Sequence, residues 1–171
     1  MKKQKGFSLI ELLIVVAIIL IIAAIAIPNL LRAKISANEA SAVGSMRSIV
    51  TAEVGYNAAG WMNGTTPIGF TAALGDLGNA GGSSNGCNPP DATHTCFIDN
   101  VLAAAVDKAH AKSGYYFTYT ATGGGPNTGF SVLGDPATPG TTGSRYFYTD
   151  QSGVIRFNPA AEAGSSDTPL Q

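Results

Sequence analysis

Charged side chains are scarce in this chain. Only 12% of its 171 residues are Asp, Glu, Lys or Arg, which is about half of the fraction usual in soluble globular domains. The formal net charge is −1, so the composition offers no basic surface of the kind that binds nucleic acids. We therefore expect no sequence-specific nucleic-acid partner.

The short motifs of common enzymes are also missing. The sequence contains no G-x-S-x-G, no P-loop, no H-E-x-x-H and no paired catalytic carboxylates. His94 and His110 stand apart from each other, which favours a surface or structural role for both. The glycines at 123–125 have no basic residue beside them and are typical of a hairpin loop rather than a phosphate site. We expect no enzyme, no catalytic residue and no cofactor.

Cysteine is nearly absent, with only Cys87 and Cys96 in a stretch rich in Gly, Ser, Asn and Pro. If the body of the protein lies outside the cytoplasm, a disulfide between them is the expected state. The alternative is a metal site that includes His94. It would have at most three ligands at no familiar zinc spacing, so the disulfide is favoured.

The chain does have one long apolar run. Residues 7–27 contain a single charge, Glu11, and Pro28 follows them. As a helix, this run would span about 31 Å, close to the hydrocarbon thickness of a bilayer. Three lysines precede it, and such a basic flank stays on the cytoplasmic side. The run is longer than an ordinary signal peptide core and lacks an A-x-A-like cleavage site, so we interpret it as a membrane segment.

Glu11 is the unusual residue of this segment. A carboxylate inside a membrane span costs about 2.5 to 3.5 kcal/mol on insertion scales, so a partner or a function is expected. One interpretation is that Glu11 reaches the interface from its position near the end of the run. In the other, the chain is cut after Gly6 and Glu11 pairs with the new amino group of Phe7. That amino group would belong to the same chain or to a neighbouring helix, and the second case makes Glu11 an assembly residue.

The N-terminus as a whole resembles that of type IV pilins and of type II secretion pseudopilins. The resemblance covers the residues from Lys5 to Glu11, the apolar run and Pro28. It implies that a prepilin peptidase cuts after Gly6 and that Phe7 is then N-methylated. It also implies that Glu11 sets the register of assembly, and that the helix bends or melts at Pro28.

The same resemblance implies partners and compartments. The precursor would sit in the inner membrane and meet the prepilin peptidase/N-methyltransferase and an inner-membrane assembly platform. Its main partner would be itself, in a homopolymeric filament. The filament would be an extracellular pilus or a periplasmic pseudopilus, and the implied roles are adhesion, motility, DNA uptake or protein secretion.

After Pro28 the pattern becomes amphipathic and predicts that the helix continues to about Tyr56. Five apolar residues recur at helical spacing, whereas Glu39 and Glu53 are among the residues assigned to polar positions. The apolar residues are Ile35, Ala42, Met46, Ile49 and Val50. We interpret this stripe as core packing against the domain that follows.

The remainder is predicted to be an irregular segment, 60–96, with a short helix at about 70–77, followed by a second helix and a sheet. Asp99 is a suitable N-cap for a helix over 101–111. Four runs of aromatic and β-branched residues predict strands joined as an antiparallel meander. The runs are 115–121, 128–133, 145–149 and 154–157, and 150–153 is a tight turn. The C-terminal tail is predicted to be mobile.

These elements predict an α+β protein with the type IV pilin fold, a long N-terminal helix packed on a small antiparallel sheet. The predicted organisation is a leader over 1–6, a transmembrane or filament-core helix over 7–28, the amphipathic half of the helix over 29–56 and a globular head over 57–171. The cysteines precede all four predicted strands. In better-known pilins the disulfide lies near the C-terminus, so an adhesive role borrowed from that loop is not implied here.

Two further sites have only weak sequence support. Major pseudopilins carry calcium in a loop of the region that contains Asp135 and Asp150, but the sequence does not supply a defined set of carboxylate ligands. Asn63-Gly64-Thr65 matches the glycosylation sequon, which is short and often matches by chance. We assign no metal site.

Three functions follow from this sequence, of which a structural pilus subunit is favoured. A major pseudopilin shares the same architecture, and the lack of a defined acidic calcium loop favours the pilin over it. A membrane-anchored extracytoplasmic binding module is the alternative from another class. That function predicts no cleavage after Gly6 and gives Glu11 no role.

Overall fold

The computed structural model describes residues 8–79, 87 and 90–170. Its first element is a helix, α1, over Leu9–Ala59, as the sequence predicts over nearly the same bounds. Contacts divide the chain into two compact units, residues 1–34 and 35–171, and each is described here by itself. The helix contributes its first half to one unit and its second half to the other.

The connection after the helix is less irregular than the sequence predicts. It begins with a small hairpin of two strands, β1 (Met62–Asn63) and β2 (Thr66–Pro67). A 3-10 helix follows over Leu74–Leu77, within the range predicted for a short helix. The hairpin was missed because each of its strands has only two residues, too few to show a period.

The prediction of one continuous helix over 101–111 is wrong. The structure has a short helix, α2, over Asn100–Ala103 and a separate 3-10 helix over Lys108–His110. The proposed cap is confirmed, because the Asp99 side chain accepts from Leu102 N. The break occurs because the side chain of Asp107 accepts from two backbone N–H groups and so starts the second piece. An Asp side chain that bonds to the nearby backbone in this way favours a new helix start over continuation of the helix.

The main sheet has five antiparallel strands in sequential order, β3 to β7. They are Tyr115–Thr122, Gly129–Pro136, Tyr146–Asp150, Arg156–Asn158 and Thr168–Pro169. The predicted meander of four strands is therefore confirmed, with strand ends displaced by at most three residues. The turn after β5 is closed by the bond from Gly153 N to Asp150 O, and Gly153 has φ +73°, which glycine adopts without strain.

The fifth strand lies in the tail that the sequence predicts to be mobile, and that prediction is wrong. Thr168 pairs with Phe157, and Leu170 N donates to Ile155 O. The Arg156 side chain also donates to Asp167 O at 2.9 Å. The tail has few hydrophobic residues, so its order comes from backbone pairing that composition does not reveal.

The core of residues 35–171 lies between the second half of α1 and one face of the sheet. Alternation in β3 and β4 turns one set of side chains toward the helix. These side chains are fully buried and meet the buried stripe of α1, which confirms the predicted packing. The sheet contributes Tyr115, Phe117, Phe130, Val132 and Phe147, and the helix contributes Ala42, Val43, Met46, Ile49, Ala52 and Tyr56. The structure is thus α+β, consistent with the type IV pilin fold.

Candidate functional site

The apolar segment of α1 is exposed within its own unit. Its mean hydropathy reaches 3.3 over an 18-residue window, and none of that window is buried in the structure. By length and composition this helix could cross a membrane. A core helix of a soluble protein can be equally long and apolar, but such a helix is mostly buried, whereas this segment is exposed. The large apolar side chains between Leu9 and Leu31 are exposed, and this surface therefore needs an apolar environment to cover it.

Glu11 is the one acidic residue in the first turn of α1, and the structure gives its carboxylate a local contact. Ser8 N donates to Glu11 Oε2 at 2.8 Å, so the carboxylate satisfies a backbone donor that the start of a helix leaves unpaired. Gly6 and Phe7, the predicted cleavage and methylation residues, lie outside the described residues. Pairing of Glu11 with a Phe7 amino group therefore stays a prediction.

Pro28 lies inside α1 rather than at its end. Its ring removes one backbone donor and crowds the preceding turn. The helix assignment nevertheless continues on both sides of it. The predicted bend or local melting at Pro28 stays a prediction.

The two cysteines are joined. Cys87 and Cys96 form a disulfide with their Cα atoms 5.9 Å apart, within the range usual for such bonds. The segment that ends at Cys96 is anchored on its other side, because Thr95 N donates to Asp76 O and Phe97 N donates to Leu77 O. The disulfide precedes β3, as the sequence predicts, so it joins the helix-to-sheet connection and not the last strands.

Two glutamates that the sequence analysis assigned to polar positions are buried in the structure. Glu39 is 6% exposed and holds the residues just before β5. Its Oε1 accepts from Ser144 N at 2.9 Å and from Arg145 N at 3.1 Å. Its Oε2 accepts from Arg145 Nε at 2.9 Å. One carboxylate thus fastens the sheet to the helix through three donors.

Glu53 is fully buried and holds the connection that follows the small hairpin. Thr71 donates to it twice, from Oγ1 at 2.5 Å and from the backbone N at 3.2 Å. Burial raises the pKa of Glu53, although the bonds from Thr71 act in the opposite direction. Tyr119 and Asn127 of the sheet region also donate to Thr71 O, so helix, connection and sheet meet at this threonine.

A signal for both glutamates was present in the sequence. Glu39 and Glu53 continue the spacing of three and four residues that links Ala42, Met46 and Ile49. That spacing places them on the buried stripe. Their charge led us to assign them to solvent, whereas a buried carboxylate is tolerated when donors surround it.

The structure does not bring the two flagged aspartates together. Asp150 pairs with Ser131 and Asp135 pairs with Tyr116, so they lie four positions apart along β4, or about 13 Å. In the described part of the chain, no group of three or more His, Cys, Asp or Glu residues could hold a metal ion. Burial, together with Glu162, raises the pKa of Asp135 to about 6.

The histidines have local partners. His94 Nδ1 lies 3.2 Å from Asp91 Oδ1, and His110 Nδ1 lies 2.9 Å from Asp107 Oδ1. Both pairs are three residues apart in sequence, and both aspartates also accept backbone N–H groups. The arrangement is that of local turn stabilisation.

Comparison with known proteins finds one N-terminal family model and two pilin relatives. The family model described as the prokaryotic N-terminal methylation motif matches residues 1–27. The type IV wide pilus major component PilA4 of Thermus thermophilus is 64% identical over 39 residues, which is 23% of this chain and 30% of that protein. The type IV major pilin protein PilA of Myxococcus xanthus is 43% identical over 54 residues, 32% of this chain and 24% of that protein.

These matches cover a limited part of each protein. The chain spans between a quarter and a third of the length of the curated relatives it matches. No solved structure matches this chain at a significant level. The methylation motif and the two pilin relatives nevertheless point to the same kind of protein. The resemblance seen in the sequence is therefore confirmed: residues 1–27 match the prokaryotic N-terminal methylation motif, and the chain is similar to type IV pilins.

Proposed function

We propose that this chain is a structural subunit of a type IV pilus, cleaved after Gly6 and polymerised through its N-terminal helix. The observation that carries the proposal is the exposed apolar first half of α1, most of which lies within residues 1–27, the part of the chain that the methylation-motif model matches. In the precursor, lipid would cover that surface. In the filament, the same surface of neighbouring subunits would cover it.

Glu11 supports assembly rather than simple anchoring. A plain membrane anchor gains nothing from a carboxylate, which costs a few kcal/mol in the bilayer. Cleavage after Gly6 creates an α-amino group on Phe7, which can carry a positive charge. A neighbouring subunit that offers this cation to Glu11 would remove the cost only in the correct register. The bond from Ser8 N then holds the carboxylate near the helix start.

The rest of the chain supports an extracytoplasmic head. The disulfide joining Cys87 to Cys96 fits an oxidising compartment, and the lysines before the apolar run favour an inner-membrane precursor with its body translocated. The curated relatives are pilins of pili, which favours a pilus over a pseudopilus. The implied partners are further copies of the chain, the prepilin peptidase/N-methyltransferase and the assembly platform.

The test is to shear filaments from intact cells and to determine intact mass and N-terminal sequence. We expect a chain that begins at methylated Phe7 and is two hydrogens lighter than its reduced form. A chain that keeps Met1 and is found only in membranes would show that the helix is a plain anchor. A processed chain that is confined to the periplasm would instead establish the pseudopilin.

A further inference from the structure

The globular unit contains a cleft of about 370 Å³, within the size range of small-molecule sites. It lies between the β1–β2 hairpin and the residues that precede Cys96. Its apolar wall comes from Tyr56, Met62 and Ile68, and its polar groups come from Asn63, Asp76 and Thr93. The mixture of an apolar wall with a few polar groups is usual in ligand sites.

The electrostatic character of the cleft is negative. The pKa of Tyr56 is raised to about 12 by burial and by the carboxylates of Asp76, Glu53 and Asp91. None of the residues that line the cleft is Lys or Arg. Among the described residues, the basic side chain that lowers the pKa of Asp76 is His94, whose Nδ1 lies 3.2 Å from Asp91 Oδ1. One carboxylate, that of Asp76, thus lies in a lining without Lys or Arg, and Asp91 and Glu53 act on Tyr56 in the same direction.

Asp76 is the carboxylate that reaches the lining. Its Oδ2 accepts from Ala73 N at 3.1 Å, which fixes the side chain in place. Burial raises the pKa of Asp76, and Asp91 adds to the effect. An arriving cation would offset that burial cost, because an opposite charge within about 4 to 6 Å favours the ionised carboxylate.

We propose that this cleft binds an ammonium group on a short apolar stem, with the stem against Met62 and Ile68 and the cation at Asp76. The chemistry is that of a lysine side chain or of a free alkylamine. A neutral ligand with the same stem would bury the same apolar area but carry no charge. The Asp76 carboxylate therefore distinguishes the ammonium ligand from the neutral one, since charge-assisted hydrogen bonds are about twice as strong as neutral ones.

The chain carries its own reporter of binding. Trp61 is the single tryptophan, and its ring centroid lies 6.3 Å from that of Tyr56 in the cleft wall. Ile68, also in the wall, donates its backbone N–H to Trp61 O at 2.9 Å. A ligand that enters the cleft should therefore change the fluorescence of Trp61.

The experiment titrates the full chain in detergent with N-acetyl-lysine amide, with n-butylamine and with N-acetyl-norleucine amide as the neutral control. We expect a saturable change for the amines and, for the norleucine compound, binding at least about tenfold weaker. Stronger binding of the lysine compound than of butylamine would indicate a peptide-borne lysine, and equal binding would indicate a free amine. A response that is equal for lysine and norleucine compounds would overturn the proposal.

Two variants locate the response. Asp76→Asn keeps a side-chain acceptor for Ala73 N but removes the charge, and it should weaken amine binding about tenfold. Ala72→Leu fills the cleft, which Ala72 also lines, without removing any polar group, and it should abolish binding even where Asp76→Asn perturbs the local fold. Asp107→Asn, an exposed carboxylate paired with His110, is the control that should bind like the parent. If both cleft variants respond like the parent, the site is not this cleft.

Discussion

Arg145 Nε donates to Glu39 Oε2 at 2.9 Å across 106 residues of sequence. The carboxylate of Glu39 is almost fully buried, whereas the guanidinium of Arg145 is partly exposed and lies over the rings of Phe147 and Phe157. This pair, with the two backbone donors at the same carboxylate, fixes the start of β5 on α1. A charged contact thus aligns two elements that apolar packing alone would leave free to slide.

Replacing Glu39 should therefore cost more than a surface mutation. Glu39→Ala leaves three donors without their acceptor, and we expect the free energy of unfolding to fall by about 2 to 3 kcal/mol. Chemical denaturation of the full chain in detergent, followed by near-UV circular dichroism, measures the change. The control is Arg47→Ala, because Arg47 is an exposed residue of the same helix, and it should change stability by less than about 0.5 kcal/mol. Equal stability of both variants would contradict the role given to Glu39.

The threonine at the Glu53 site offers a matched pair of substitutions. Thr71→Val keeps the shape of the side chain but removes the hydroxyl that donates to the buried Glu53 carboxylate. We expect a loss of about 1 to 3 kcal/mol, the cost of an unsatisfied buried acceptor. Thr118→Val on the exposed face of β3 should be nearly neutral or slightly stabilising. If Thr71→Val leaves the free energy of unfolding unchanged, the Glu53 carboxyl is protonated or solvated in the folded protein.

Asp135 should make stability depend on pH. Its pKa is about 6 in the folded chain, above the value of 3.8 that is ordinary for an aspartate, so the folded state binds the proton more tightly than the unfolded state. Its unfavourable contribution is therefore absent below about 3.8, develops as pH rises through this window and is complete above about 6. Lowering the pH from 7 to 4 should therefore remove most of this unfavourable contribution to stability.

Asp135→Asn tests this dependence. The carboxyl is only half-buried, so solvent screening reduces the effect, and we expect a gain of roughly 1 kcal/mol at pH 7. That gain corresponds to about 2 to 4 °C in melting temperature. The difference between variant and parent should shrink at pH 4. A difference that is constant from pH 4 to 8 would show that Asp135 titrates normally.

How far the sequence predicted this structure depends on the kind of signal. The second half of the long helix and the meander show periods of 3.6 and 2 residues, and both were predicted. The first half of the helix was predicted from its apolar run and not from a period. β7 and the β1–β2 hairpin are too short to show a period, and their order comes from backbone bonds such as Leu170 N to Ile155 O. Glu39 and Glu53 were placed in solvent because their charge outweighed their position on the buried stripe.

The disulfide and the cleft beside Asp76 show the same difference between what local patterns reveal and what they do not. The disulfide was predicted because the chain has only two cysteines, its body was expected outside the cytoplasm, and the spacing fits no familiar zinc site. The cleft beside Asp76 was not predicted, because it is formed by residues from the helix, the hairpin and the segment before Cys96. These residues are distant in sequence and belong to no motif. Local patterns therefore identify the apolar N-terminal helix, whereas sites that tertiary contacts assemble need the structure.

The disulfide should stabilise the globular unit. Joining residues nine positions apart removes conformational freedom from the unfolded chain, worth about 2 to 3 kcal/mol in the loop-entropy model. The double variant Cys87→Ser, Cys96→Ser should melt at a lower temperature by about 5 to 10 °C, with membrane insertion unchanged. Thermal unfolding with and without reductant checks this, because reductant should affect the parent and leave the double variant unchanged. An unchanged melting temperature in oxidising buffer would contradict a stabilising disulfide.

Glu11 should be required for assembly and not for insertion. Glu11→Ala makes the apolar run more hydrophobic, so membrane insertion should be retained or improved. If Gly6 and Phe7 are recognised independently of Glu11, leader removal should also continue. Filament yield should fall at least about tenfold, because the Phe7 amino group of a neighbouring subunit would lose its counter-charge in a low-dielectric layer.

The measurement compares sheared filaments with the membrane fraction by quantitative immunoblotting. Ile14→Ala, an apolar change in the same exposed segment, is the control and should assemble. Glu11→Gln separates two roles of the side chain. It keeps an acceptor for Ser8 N, so it should assemble normally if capping of the helix is all that Glu11 does, and it should fail like Glu11→Ala if the charge pairs with Phe7. Normal filament yield from both Glu11 variants would leave the carboxylate without an assembly role.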